Sequence, residues 1–232
     1  MAGLTILRSE KGLRRLNVEM NLGDSRRIED RVNTVLCWCF IEATRQLGRQ
    51  RQNGKRRGPL NFPRPQTPKF PNPHDRSEMS VGRERKIPDF KWGFVDHASF
   101  DDPASDHKGE QDFDIECKRL GKKIASGALT QKYVQNGILR FLTDVHRYGE
   151  DQSSGAMIGY VENMELDDIL NEVNETIESQ SVSIPTLSQP AEGWQETATS
   201  HLDHEFERTF PESPFHLYHF WIDLRDCYSE DT

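Results

Sequence analysis

Residues 112–120, DFDIECKRL, alternate apolar and charged side chains at a period of two. That period belongs to a β-strand: Phe113, Ile115 and Cys117 fall on one face, and Asp114, Glu116 and Lys118 on the other. Charged groups on one face of an internal strand are costly unless they are paired or bind something. Any fold of this chain must therefore bring partners to that face.

The flanking patterns outline the frame that does so. Asp24 or Ser25 can cap a helix over residues 25–48, where Ile28, Val32, Val35, Leu36, Cys39, Phe40, Ala43 and Leu47 make a single apolar stripe. Phe90, Trp92 and Phe94 alternate in a strand over residues 87–95, and an Asp-rich turn through residues 101–110 leads into residues 112–119. A helix follows over residues 126–148, with Leu129, Tyr133, Gly137, Ile138, Phe141, Leu142 and Val145 as its stripe and Gly149 as its stop. Residues 156–161 read as a buried strand, residues 165–180 as a helix and residues 215–224 as a last strand. A short strand is expected at residues 4–7 and a polar loop at residues 181–213. The result is an α/β fold with a central mixed sheet flanked by helices.

Residues 48–86 differ in kind. They are rich in Arg and Lys and hold six of the twelve prolines between Pro59 and Pro73. Proline fixes φ and removes a donor, so an exposed, extended, basic loop or arm is expected, inserted into one domain of residues 1–232. Neither flank could build a core alone.

Net charge, −8, hides an asymmetry: residues 1–86 carry 19 Lys or Arg against 9 Asp or Glu, and residues 87–232 carry 11 against 29. A basic arm that attracts phosphates beside an acid-rich part that holds a cation is one reading; a solubilising or interaction tail is the other. No apolar run approaches a membrane span and no leader-like start is seen, so a soluble cytoplasmic protein, with no membrane partner, is expected. The four cysteines suit a reducing compartment.

Several alternatives fail on spacing. No phosphate-binding Gly-rich loop or dinucleotide fingerprint occurs. His201 and His204, or His216 and His219, lack complementary cysteines, and Cys37 and Cys39 stand too close on a helix to share a structural zinc. Asp101, Asp102, Asp106 and Asp112 do not follow a calcium-loop pattern.

What remains is Pro88-Asp89 at the start of one strand and Glu116-Cys117-Lys118 within the next. An acid two residues before a lysine occurs three times (Glu84/Lys86, Asp89/Lys91, Glu116/Lys118), so the triplet alone carries little. Its strand parity, the preceding Pro-Asp and the order of elements give it weight. Over residues 25–161 this pattern resembles the PD-(D/E)xK, or restriction-endonuclease-like, nuclease superfamily. That family has three strands between its two core helices, and the third would lie in the Pro-rich stretch or near residues 79–81.

The resemblance implies a metal-dependent nuclease with Asp89, Glu116 and Lys118 as catalytic residues. Asp89, Glu116 and the carbonyl of Cys117 would hold Mg²⁺ or Mn²⁺, for which hard oxygen ligands are suited. Lys118 would orient or help deprotonate the attacking water. Glu29 on the first helix, with Glu42 behind it, would assist, and Gln131 and Tyr133 on the second would support the lysine or touch substrate. Arg45, Arg49, Arg51, Lys55, Arg56 and Arg57 are the expected nucleic-acid-binding residues. DNA is the expected substrate, RNA is not distinguished from it, and a homodimer or a partner protein is expected. The alternative class is a non-catalytic interaction subunit on a nuclease-like fold.

Overall fold

One mixed sheet of six strands organises the chain, in the spatial order β1-β2-β3-β4-β6-β5. The structure is a computed structural model that describes residues 2–22, 27–52, 64–65, 88–95, 110–122, 127–143, 146–150, 152–196, 198–209 and 213–227. Its strands are β1 (Arg64–Pro65), β2 (Phe90–Val95), β3 (Glu110–Leu120), β4 (Ser154–Val161), β5 (Thr199–Phe206) and β6 (Phe215–Asp223). The helices are α1 (Ala2–Leu7), α2 (Glu10–Met20), α3 (Ile28–Gln52), α4 (Leu129–Gln135) and α5 (Leu166–Glu178), with a 3-10 turn at Ile138–Phe141. β1, β2 and β3 run antiparallel in sequence, β3, β4 and β6 are mutually parallel neighbours, and β5 is antiparallel to β6.

Strand parity sorts the core into two layers. Ile115 and Cys117 of β3, Ala156, Ile158 and Tyr160 of β4, and Phe220 and Ile222 of β6 meet Leu4, Leu7, Leu16, Val32, Val35, Leu36 and Phe40 from α1, α2 and α3. The opposite parity (Leu120, Met157, Val161, Leu217 and Trp221) meets Tyr133, Val134, Ile138, Phe141, Ile169, Val173 and Ile177. β3 and β4 are thus covered on both sides, as parallel strands require. The α3 stripe packs as its spacing predicts, with Val32, Val35, Leu36, Cys39 and Phe40 buried.

Four expectations are corrected. Residues 4–7 are the end of a helix, not a strand, because Leu4 and Leu7 bury against α3 at helical spacing. The helix over residues 126–148 is broken: α4 stops at Gln135, and Gly137 turns the chain into the 3-10 turn. Gly137 lies so close to α4 and β4 that a Cβ there would stand 2.3 Å from the Tyr133 carbonyl oxygen and 2.4 Å from Met157 Cε. Residues 181–213 contain β5, whose Ser200, Leu202, His204 and Phe206 face inward.

The fourth concerns residues 48–86, where the first five continue α3 and Arg64–Pro65 pairs with β2 as an edge strand, the place in a sheet that tolerates proline. Arg45, Arg49 and Arg51 therefore lie on α3, while Lys55, Arg56 and Arg57 lie outside the described residues. Among the described residues, no helix is long and apolar enough to cross a membrane.

Candidate active site

β3 outruns β2. The last paired residues are Phe90 and Ile115, after which β3 continues to Leu120 with β4 alone as its neighbour among the described residues. Proline at position 88 cannot donate to the ladder, and Asp89 fills the next place with its side chain. Its Oδ2 accepts the backbone N–H of Cys117 at 2.7 Å. A carboxylate thus stands where the strand's next acceptor would have been, at the gap in the sheet.

Lys118 and Glu116 share a face of β3, as their parity predicts. Lys118 Nζ donates to Glu116 Oε1 and to the Cys117 carbonyl oxygen, the latter at 2.7 Å. It also lies 3.7 Å from Glu29 Oε1 and 3.9 Å from Asp89 Oδ2. Glu29 belongs to the first turn of α3, where a carboxylate complements the helix dipole. Three parts of the sequence, at Glu29, at Asp89 and at Glu116 with Lys118, therefore converge at one end of β3.

A fifth residue arrives from the far side of the broken helix. The turn at Gly137 carries Arg140 to Glu116, and its Nη1 donates to the same Oε1 that Lys118 uses. Arg140 Nη1 also lies 3.4 Å from the Tyr148 hydroxyl oxygen. Beside it, Asp114 Oδ2 accepts the backbone N–H of Gly149 at 2.8 Å, which holds this loop against β3. The sequence places Arg140 within the expected second helix and gives it no role. No local signal assigns one, since its direction depends on where Gly137 breaks the helix.

The electrostatics follow from burial and from this charge count. Glu116 is 1 % exposed, and burial, with Asp89 adding to it, pushes its carboxyl up to about 7 despite Lys118 and Arg140. Burial alone would lower Lys118. The carboxylates of Glu116, Glu29 and Asp89 outweigh that and raise it, so the side chain is an ammonium. Burial raises Glu29 as well, against the pull of Lys118. Glu116 Oε2 is buried with no hydrogen-bond partner.

Other expected residues lie elsewhere. Tyr133 is fully buried on the opposite core, where its hydroxyl meets His219 Nδ1 at 2.7 Å and accepts from Trp221 Nε1 at 3.0 Å. Gln131 is exposed on α4. Glu42 lies 3.8 Å from Lys11 Nζ, well beyond Glu29 along α3. His201 rests against Phe220, and His216 Nε2 lies 3.0 Å from Asp203 Oδ1 at the surface.

The donors at the gap in the sheet are all oxygens. Asp89, Glu116 with its unpartnered Oε2, and the Cys117 carbonyl fit a hard cation that keeps several waters. Among the described residues, no group of three or more His, Cys, Asp or Glu side chains forms a metal cage. Compared with protein-family models, with curated proteins and with solved structures, the chain matches none.

Proposed function

We propose that the chain is a metal-dependent phosphodiesterase of the restriction-endonuclease-like kind that hydrolyses DNA. One observation carries the reading: Asp89, Glu116, Lys118 and Glu29 converge with an unpartnered carboxylate oxygen where β3 runs past its neighbour. Arg119 and Glu162, one residue further along, form a closed two-bond pair at 2.5 and 2.7 Å.

Asp89, Glu116 and the Cys117 carbonyl would hold Mg²⁺ or Mn²⁺, which when bound lowers the pKa of a water and offsets charge on the phosphoryl oxygens. Lys118, as an ammonium, donates to the attacking water and to a phosphoryl oxygen rather than serving as the base. Glu29, 3.7 Å from that ammonium, is the carboxylate placed to accept the water's proton. The resemblance over residues 25–161 supports the same roles. The core that resemblance calls for has three strands between two helices, and β1, β2 and β3 stand between α3 and α4.

The second reading, a non-catalytic interaction subunit, is favoured by Glu116 Oε1 already being held by both Lys118 and Arg140. Incubation of plasmid, single-stranded DNA and RNA with Mg²⁺ or Mn²⁺ separates the two. Cleavage that EDTA stops supports the phosphodiesterase. No cleavage of any substrate with either cation supports the subunit.

The basic segment supplies a separate test of the substrate class. Neutralising Arg51, Lys55, Arg56 and Arg57 together should weaken DNA binding and flatten its salt dependence. The log–log slope should fall by about 0.9 for each phosphate that is no longer neutralised. An unchanged slope assigns this segment to something other than the phosphate backbone.

A further inference from the structure

We infer that Arg140 is an exchangeable counter-ion: it holds Glu116 until a cation takes that carboxylate, and then turns to a phosphate of the bound nucleic acid. The inference rests on the phosphodiesterase reading and adds a substrate-binding residue that the resemblance does not supply.

Two arginines near this loop, Arg208 and Arg119, are fully committed, and Arg147 pairs with Glu150 at 2.8 Å. Arg208 is saturated. Its Nη1 donates to the carbonyls of Phe141 and Tyr148 at 3.3 and 3.1 Å, its Nη2 to those of Gly149 and Gln152 at 2.5 and 2.6 Å, and its guanidinium lies 3.8 Å from the Phe215 ring centre. It clamps Tyr148, Gly149 and Gln152 against β6 and has no geometry left for a ligand. Arg119 is closed on Glu162.

Arg140 differs. One nitrogen, Nη1, makes both of its hydrogen bonds, to Glu116 Oε1 and to the Tyr148 hydroxyl oxygen, and the guanidinium carbon lies 5.8 Å from the Tyr148 ring centre. Its Nε is buried and has no hydrogen-bond partner. A guanidinium has five N–H donors in a fixed fork, the shape that matches two phosphate oxygens. Much of that fork is unspent beside a candidate phosphodiesterase centre.

Glu116 is the other half of the exchange. Its Oε1 accepts from two cationic side chains at once, Lys118 and Arg140, while Oε2 has none. A divalent cation drawn to this carboxylate competes for its charge with both. Lys118 keeps Glu29, which is not among the proposed ligands, as an alternative at 3.7 Å. Among the described residues, Arg140 pairs with no second carboxylate, so it gains most from an incoming anion. Cation binding and phosphate binding are then coupled through one side chain, and the coupling must act equally in both directions.

The test measures Mn²⁺ affinity by calorimetry and DNA affinity in Ca²⁺ with a phosphorothioate oligonucleotide, for the wild type, Arg140→Gln and Arg140→Lys. Removing the competing charge in Arg140→Gln should tighten Mn²⁺ binding by about tenfold and weaken DNA binding by about tenfold, within the usual range of coupling. Arg140→Lys keeps the charge and loses the fork, so it should leave Mn²⁺ affinity within about twofold and still weaken DNA binding. Should Arg140→Gln fail to fold, the lysine variant decides: wild-type Mn²⁺ affinity should rise on adding the oligonucleotide, and Arg140→Lys should lose most of that rise. Weaker or unchanged Mn²⁺ binding in Arg140→Gln, or an undiminished rise in Arg140→Lys, makes Arg140 a fixed clamp on Glu116 and overturns the inference alone. A wild type that binds no Mn²⁺ overturns the phosphodiesterase reading with it.

Discussion

Two buried polar clusters lie on different strands of the sheet and answer the same physical problem in opposite ways. Around β6, His219 is fully buried and its Nδ1 shares a hydrogen bond with the Tyr133 hydroxyl, which accepts from Trp221; His204 Nε2 donates to the Pro185 carbonyl at 2.8 Å. Every group there can be neutral. Burial lowers His204 to about 4 and His219 well below its usual range, so both imidazoles are uncharged near pH 7. Around the end of β3, three carboxylates face Lys118 and Arg140, and a buried carboxylate oxygen is left over.

Burial of polar atoms is common to the two clusters and identifies neither as functional. Charge and openness separate them. The β6 cluster removes its charge and is packed between α4 and β5. The β3 cluster sets three carboxylates against two cationic side chains beyond the end of β2, where Asp89 and Glu29 remain partly exposed. A neutral, closed cluster is a way to fill a core with polar side chains. A charged, partly exposed one is a way to receive a cation.

The sharpest contrast is in catalysis. Glu116→Ala or Lys118→Ala should lower Mg²⁺-dependent DNA cleavage by at least ~10²–10⁴-fold while circular dichroism shows the fold retained. In Tyr133→Phe, on the other cluster, the cleavage rate should stay within about twofold. Equal losses at both would erase the distinction.

Stability should show the reverse. Tyr133→Phe leaves the buried Trp221 N–H without its acceptor and His219 Nδ1 without its partner, and should cost about 1–3 kcal/mol in urea denaturation. An unchanged midpoint would mean that water or a neighbour satisfies both.

The pH dependence carries opposite signs in the two places. The Glu116 carboxyl is raised from 4.5 to about 7 on folding, so the folded state holds more protons within that window. Its contribution is present below about pH 4.5 and is lost as pH rises towards 7, up to about 3 kcal/mol in all. His204 is lowered from 6.5 to about 4, so there the unfolded state holds more protons, and stability is lost as pH falls from about 6.5 towards 4. In EDTA, Glu116→Gln should therefore show stability that rises more steeply with pH between 5 and 7 than the wild type, and His204→Gln stability that rises less. Parallel curves for all three proteins would show that neither group titrates differently on folding.

How far the residues themselves announce these two clusters depends on the length of each pattern. The α3 stripe runs long enough for a 3.6-residue period to show, and the alternation in β3 places Glu116 and Lys118 together before any fold is known. Residues 4–7 are too few to display a period, and only packing of Leu4 and Leu7 on α3 makes them helical. β5 alternates too, but its inward positions include Ser200 and His204, so its apolar face does not stand out. The break at Gly137 is hidden in the sequence because glycine can pass within a helix. Gly137 there stands where a Cβ would meet the Tyr133 carbonyl and Met157 on the same side of the sheet. Tyr133 lies before that break, on the apolar face of α4, and Arg140 lies after it, where it meets Glu116. The carboxylates and lysine of the site can be chosen from spacing and parity, and the arginine beside them cannot.

Whether the cluster at the end of β3 is a cation-dependent phosphodiesterase centre comes down to cleavage of plasmid and single-stranded DNA in Mg²⁺, with purified wild type beside Glu116→Ala. The wild type should cut, EDTA should abolish the cutting, and the variant should lack it while retaining its fold. Undiminished cutting by Glu116→Ala, or no cutting by the wild type with Mg²⁺ or Mn²⁺, would remove the basis for such a centre.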